Sequence, residues 1–226
     1  MLLNLRELKN KYNININHVL HIGAHHGDEL YAYEELAIER VLLFEPVPTT
    51  FEILEKRVKN RRGTFPKEIM LANVALGNST NDAVMHIENN NKGMSSSLLK
   101  PKLHLEQYKW IHFKDSDKIM VNQCKLDDYL LKIKEPEKFN FINIDVQGYE
   151  LEVFKGATSS LKNVEAIYTE VNRAELYENC CMVSEVDKFL GSIGFSRVET
   201  LWEGQTWGDA LYIRKNKGKG YYEKNI

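Results

Sequence analysis

Two stretches and one isolated acid hold the residues best suited to chemistry. His21-Ile22-Gly23-Ala24-His25-His26-Gly27 leaves an apolar run and enters a helical one. Glycines at such a turn let backbone N–H groups approach a ligand closely, at the positive end of a helix. Glu45 follows 22 residues after Gly23, at the end of the next apolar run. An acid at that distance is placed to hold a ribose hydroxyl pair. The loop is not Gly-x-Gly-x-x-Gly, because His25 stands where the middle glycine would be. A bulkier residue there disfavours the close pyrophosphate approach of a dinucleotide. A ligand with adenosine but no phosphates is less demanding, and S-adenosylmethionine is the obvious one. Val47 and Asn73 are the candidates to stack on its adenine.

The second stretch is Asn143-Ile144-Asp145-Val146-Gln147-Gly148-Tyr149-Glu150. Asp145 ends a very apolar run, at the mouth of a sheet where ligands bind. It also suits a helix N-cap. Glu150 reads as a solvated first-turn carboxylate. Glu170 ends the following strand, in Thr169-Glu170-Val171-Asn172. On neighbouring parallel strands, Asp145 and Glu170 face one cleft. Two carboxylates there position a hydroxyl, act as general base or hold a cation. The catalytic candidates are therefore Asp145, Glu170 and His26, with His25 or His26 as loop donor or base. His21 and His25 are four apart, a metal spacing on a helix but not across a strand end, so no metal site is expected. Ser96, in the Ser95–Ser97 loop, is expected to close over the site, and Trp207 to stack on a sugar ring.

The elements that must position these groups follow from periodicity. A short amphipathic helix is expected over Leu2–Tyr12, and strands over 18–24, 39–46, 68–76, 139–145 and 164–171. Helices are expected over Asp28–Ile38, Thr50–Lys59, Leu126–Ile133, Tyr149–Leu161 and Ser184–Ile193. In the last, Ser184 and Asp187 sit near N-cap and N3 positions. Alternating strands and helices predict a parallel sheet with helices on both faces. Residues 77–122 break that rhythm and read as inserted strands beside the sheet, while 195–202 and 208–215 read as a closing antiparallel pair. The expectation is one domain over 1–215, with an N-terminal helix at 1–12, an insertion at 77–122 and a basic flexible tail at 216–226.

Composition bounds the function. The chain has 226 residues, 43% hydrophobic and 27% charged, which excludes a disordered or disulfide-scaffold protein. Its net charge is −2, yet residues 214–226 hold five basic residues against one acidic, leaving −6 on the rest. An acidic body argues against nucleic acid in the main cleft. Three cysteines, two of them adjacent, argue against a disulfide framework and for a reducing, cytoplasmic setting. No segment approaches a membrane span.

The combination HIGAHHGDE, LLFEPVPTTFEIL, NVALGN, MSSSLL, KLDDYL, FINIDVQGYELEVFKGA and IYTEV resembles the FkbM-type methyltransferases, in that family's order from about His18 to Ile213. The resemblance implies a class I S-adenosylmethionine-dependent methyltransferase fold. That is a three-layer, Rossmann-like α/β architecture with seven strands in order 3-2-1-4-5-7-6, the last antiparallel. It implies O-methylation of a sugar, glycan or natural-product hydroxyl. The cofactor-lining set it implies is His21, Gly23, Ala24, His25, Gly27, Glu45, Pro46, Asn73, Val74, Asp145 and Gln147. Gly23, Ala24, His25 and Gly27 take the methionine part, Glu45 the ribose, and Asn73 and Val74 the adenine. Asp145 and Gln147 border the methyl group and acceptor. The chain departs from the family at His21, commonly Asp, and at Gln147, commonly Glu. Those departures leave a fold-retaining binding protein as the alternative, ahead of an RNA methyltransferase or a nicotinamide-dependent oxidoreductase.

Overall fold

Strands that are apolar on both sides need cover on both sides, and the computed structural model, which describes residues 2–215, supplies it. β1 (His18–Ile22), β2 (Arg40–Phe44) and β3 (Glu68–Ala72) form one wing of the main sheet. β4 (Ala75–Leu76), β5 (Asn81–Glu88) and β6 (Phe113–Cys124) follow, apart from it. β7 (Phe141–Ile144), β8 (Ala166–Asn172), β9 (Phe195–Glu203) and β10 (Trp207–Arg214) complete the main sheet. Its order is β3-β2-β1-β7-β8-β10-β9, the order the resemblance implies. All neighbours from β3 to β8 are parallel, and β10 runs antiparallel to both β8 and β9.

Helices cover the two faces separately. α1 (Leu5–Tyr12), α2 (Leu30–Glu35) and α3 (Pro48–Lys59) bury Leu5, Leu8, Leu30, Tyr33 and Leu54 against Val19, Val41, Leu43 and Tyr168. After α4 (Leu103–Gln107), the helices α5 (Leu126–Leu130), α6 (Glu150–Lys155) and α7 (Val183–Ser192) cover the other face. They bury Leu126, Val153, Phe154, Val186 and Leu190 against Leu20, Ile22, Ile142 and Ile167. The alternation of Val19 and Leu20 between these cores is the strand period at work. α1 starts where the Asn4 side chain accepts the N–H groups of Arg6 (2.9 Å) and Glu7 (3.2 Å).

Several expected elements are shorter or shifted: α1 starts at Leu5, α5 stops at Leu130 and α6 at Lys155. α2 stops at Glu35 because Ala37 turns left-handed (φ 52°). α7 begins at Val183 because Glu185 reaches back to the Met182 N–H (2.9 Å), which moves the cap two residues ahead of Ser184. The expected strand over 68–76 is split. Asn73 donates its amide to the carbonyls of Glu45 (2.9 Å) and Pro46 (3.1 Å), the chain leaves the main sheet, and Ala75 pairs with Gln123 instead.

That split opens a second sheet of order β4-β6-β5, built from the end of that expected strand and from most of the stretch expected as an insertion over 77–122. It packs Ala75, Met85 and Val121 on Val47, and so leans on the C-terminal end of β2. β1 lies between β2 and β7, so the strand order reverses there, where open α/β sheets bind ligands. The segment 216–226, where a basic tail is expected, lies outside the described residues. Among the described residues, no helix is long and apolar enough to cross a membrane.

Candidate functional site

The two chemistry-bearing strand ends are bonded to each other. Asp145 donates its N–H to the Ile22 carbonyl (3.0 Å), and Gly23 and Ala24 donate theirs to the Phe44 carbonyl (3.0 and 2.9 Å). Gly23 has φ 82°, and a Cβ there would lie 1.9 Å from the Asp145 carbonyl oxygen. The glycine is therefore required by the close approach of β7, whatever a ligand adds. A single cavity opens over these ends. Its wall includes His21, Gly23, Ala24, His25, Glu45, Pro46, Val74, Ser96, Asp145, Gln147 and Glu170. His26, Gly27, Asn73 and Trp207 are not part of that wall.

Glu45 anchors one end. Its two carboxylate oxygens accept the backbone N–H groups of His25 (2.9 Å) and Val47 (2.8 Å). Burial pushes its carboxyl up to about 7, against the pull of those two donors. Each oxygen keeps lone-pair capacity toward the cavity, as a hydroxyl-binding acid needs. Around it, Phe44, Val47, Val74, Met85 and Leu98 provide apolar wall. Asn73 is occupied in holding the Glu45 and Pro46 carbonyls, which makes it a brace for this wall.

A loop closes over this end. The Glu88 carboxylate accepts the N–H groups of Asn90, Asn91 and Gly93, while Ser96 Oγ accepts the Glu88 N–H (3.0 Å). The His25 ring contacts the Lys92 carbonyl (2.8 Å) and stacks on His26, with ring centroids 3.8 Å apart. Ser97 Oγ donates to the Gln147 carbonyl (2.9 Å). The serine loop is thus tied to both chemical stretches.

The other end holds carboxylates with few donors. Gln147 donates its side-chain Nε2 to Asp145 Oδ1 (2.7 Å) and to Glu170 Oε2 (3.0 Å). Its Oε1 lies 2.8 Å from the Tyr177 hydroxyl, which is also 2.8 Å from the Ser95 carbonyl. One hydroxyl hydrogen is available to these two acceptors. Asp145 opens onto the cleft, yet protein atoms crowd its carboxylate so closely that desolvation lifts it to about 6, against the Gln147 hydrogen bond. Burial first, then repulsion from Asp145 and Glu150, holds Glu170 well above the usual carboxylate range.

Glu150 corrects the sequence reading. It is fully buried, not solvated, and its Oε1 accepts the N–H groups of Val146 (3.0 Å) and Gly148 (3.2 Å). The left-handed turn at Gln147 and Gly148 aims both donors at it. Burial pushes its carboxyl up to about 7. One oxygen from each of Asp145, Glu150 and Glu170 lies within 4.8 Å of the others, a carboxylate grouping of the kind that takes a divalent cation.

Four further wall or network residues escaped the sequence reading. Tyr177 orients Gln147. Tyr168 and Asp209, on β8 and β10, and Glu29 line the same cavity. Asp209 accepts the Tyr168 hydroxyl and the Leu2 N–H, and is 5% exposed. A lone acid within the apolar run Gly208–Ile213 was the available signal for it. Trp207 belongs elsewhere: it packs with Leu176, Tyr177 and Cys180, and its Nε1 donates to the Tyr108 hydroxyl (2.9 Å).

The family described as the methyltransferase FkbM domain matches residues 21–197. The chain belongs to the FkbM methyltransferase family. Among curated proteins, the 2-O-methyltransferase NoeI of Sinorhizobium fredii (strain NBRC 101917 / NGR234) is 30% identical over 166 residues, covering 71% of this chain and 65% of that protein. The match therefore spans less than two thirds of the relative. Solved structures share the fold at low identity. Magnesium protoporphyrin IX methyltransferase of Synechocystis PCC 6803 with bound S-adenosylmethionine has a TM-score of 0.52 at 10% identity, covering 93% of this chain and 76% of that one. A protein of the NADB-Rossmann superfamily from Streptococcus agalactiae has a TM-score of 0.51 at 13% identity, covering 95% and 69%. The fold of this FkbM-family chain is that of the Rossmann-like methyltransferases.

Proposed function

We propose that this chain is an O-methyltransferase that transfers the methyl group of S-adenosylmethionine to a hydroxyl of a sugar, glycan or small natural product. The observation that carries this reading is the division of one cavity. A backbone-held acid, Glu45, sits in an apolar pocket at one end, and the carboxylates Asp145 and Glu170 share one amide at the other. When bound, the cofactor supplies a methyl group on a sulfonium, a good leaving group.

Glu45 accepts the ribose hydroxyls, and Val47, Val74 and Leu98 enclose the adenine. Gly23, Ala24 and His25 line the methionine part. The bound cofactor would supply its methyl carbon to the acceptor oxygen and leave as the neutral thioether, which keeps the carbon–sulfur electron pair. Much of the acceleration comes from holding the two reactants in line. Asp145 takes the hydroxyl proton. Its carboxyl, at about 6, is mostly ionised at neutral pH and close enough to the working pH to be an effective base. Glu170 stays protonated beside it, and Gln147 fixes the geometry of both. His26, stacked outside the wall on His25, is left a supporting role in the loop. Cys124, Cys180 and Cys181 are free thiols, which supports a reducing, cytoplasmic setting.

Titration calorimetry with S-adenosylmethionine, its demethylated product and NAD tests the reading. Saturable binding of both sulfur compounds is expected. Saturable binding of NAD but of neither sulfur compound overturns it.

A further inference from the structure

Gln147 gives its side-chain amide to both Asp145 and Glu170, so what holds Gln147 also holds the two reacting acids. Its backbone needs holding. Gln147 has φ 55° and Gly148 φ 94°. Glycine takes this left-handed conformation freely, whereas a residue with a Cβ takes it only where its surroundings impose it.

Glu150 is placed to impose it. From the first turn of α6, its Oε1 accepts the N–H groups of Val146 (3.0 Å) and Gly148 (3.2 Å), one on each side of Gln147. A single oxygen therefore bridges the turn. Further contacts steady the outside: Ser97 Oγ donates to the Gln147 carbonyl (2.9 Å), and Cys181 donates its N–H to the Gly148 carbonyl (3.1 Å). Cys180 packs so closely that a Cβ on Gly148 would lie 2.6 Å from the Cys180 Cβ. Glu150 is fully buried, yet it is not part of the cavity wall. Burying a carboxylate beside two other acids is costly unless it meets donors that would otherwise be orphaned. Here those donors are the two N–H groups of the turn.

We propose that Glu150 is a positioning residue: by bridging the N–H groups on either side of Gln147, it keeps the Gln147 amide on Asp145 and Glu170 and so holds the base in its reacting geometry without touching acceptor or cofactor. The inference rests on the O-methyltransferase reading and deepens it. Reach and charge are separable here, because they act on Asp145 with opposite signs. Asp145 faces repulsion from Asp209 and Glu29 and attraction from the N-terminal charge. Glu150 faces Asp145, Glu170, Tyr177, Cys180 and Cys181. As a charge, Glu150 disfavours ionisation of Asp145, so removing the charge lets Asp145 ionise at lower pH. As a brace it favours that ionisation, because it keeps the Gln147 donor on the carboxylate. Removing the brace makes Asp145 ionise at higher pH.

Two variants of the full chain separate the roles. Glu150→Asp keeps the charge but is one methylene too short to bridge both N–H groups. Glu150→Gln keeps the reach and the accepting oxygen but loses the charge. Nuclear magnetic resonance on the free protein reads solvent exchange of the Gln147 side-chain amide and the pH titration of the Asp145 carboxyl. In Glu150→Asp the amide is expected to exchange about tenfold or more faster than in the wild type, with the Asp145 midpoint about half a unit or more higher. In Glu150→Gln the amide is expected to stay protected and the midpoint to stay at or below the wild-type value. Calorimetry with the demethylated cofactor is expected to give unchanged affinity in both variants. Wild-type behaviour of Glu150→Asp overturns the inference, as does an exposed Gln147 amide or a raised midpoint in Glu150→Gln. A loss of cofactor affinity that parallels the loss of amide protection also overturns it, because it marks general damage to the fold. Failure of the wild type to bind either sulfur compound is a separate result: it overturns the methyltransferase reading and leaves the resonance readouts standing.

Discussion

The acids at opposite ends of one cavity have opposite surroundings. Glu45 has a backbone N–H on each oxygen, supplied by the two loops it joins. Asp145 and Glu170 share a single side-chain amide and lie close to a third acid, Glu150. The first arrangement is rigid and already satisfied, which suits binding. The second is crowded and under-supplied with donors, with Asp145 lifted to about 6 and Glu170 held well above the usual carboxylate range, which suits proton transfer. The number and kind of donors around each carboxylate thus goes with its role.

The largest effect that can break this comparison is at Asp145. Asp145→Asn is expected to lower turnover by about 10²- to 10⁴-fold, the usual contribution of a general base, with little change in cofactor affinity. Steady-state kinetics beside calorimetry reads both, and equal losses in each would reduce Asp145 to a binding residue. In the wild type the base must be ionised, so turnover is expected to rise as pH rises through about 6.

Glu45→Ala comes next. It is expected to weaken cofactor binding by about 1–3 kcal/mol, through lost ribose hydrogen bonds and two orphaned backbone donors. A fall in turnover at unchanged affinity would reverse the roles assigned to the two ends.

Gln147→Glu sharpens the comparison by making the crowded end more crowded. It removes the shared donor and adds a negative charge, so the pH midpoint of turnover is expected to move up by about one unit. A downward move would mean that Gln147 does not restrain Asp145. The smallest effect is expected from Tyr177→Phe, which removes one hydrogen bond to Gln147. It should cost about 1 kcal/mol, roughly a fivefold loss of turnover, with cofactor affinity unchanged.

The legibility of the sequence follows the same division. The cofactor end is built from local signals: a glycine turn, an acid 22 residues on, and apolar runs ended by proline or glycine. Those signals set the strand order and brought Gly23, Glu45 and Asp145 to one cavity. The reacting end is assembled by long-range contacts that no local period reports. Tyr177 meets Gln147 from 30 residues away, and Asp209 meets Tyr168 across 41. Glu150 looked like an ordinary first-turn acid because its burial depends on the left-handed turn before it and on Cys181 beyond. The strand expected over 68–76 broke because Asn73 bonds to carbonyls of a different loop.

The most direct measurement is transfer of labelled methyl from S-adenosylmethionine to a hydroxyl-bearing acceptor, with the product's linkage read by mass spectrometry in wild type and Asp145→Asn. The account predicts a labelled methyl ether from the wild type and almost none from the variant. Label on nitrogen or carbon, or equal product from both proteins, would contradict it.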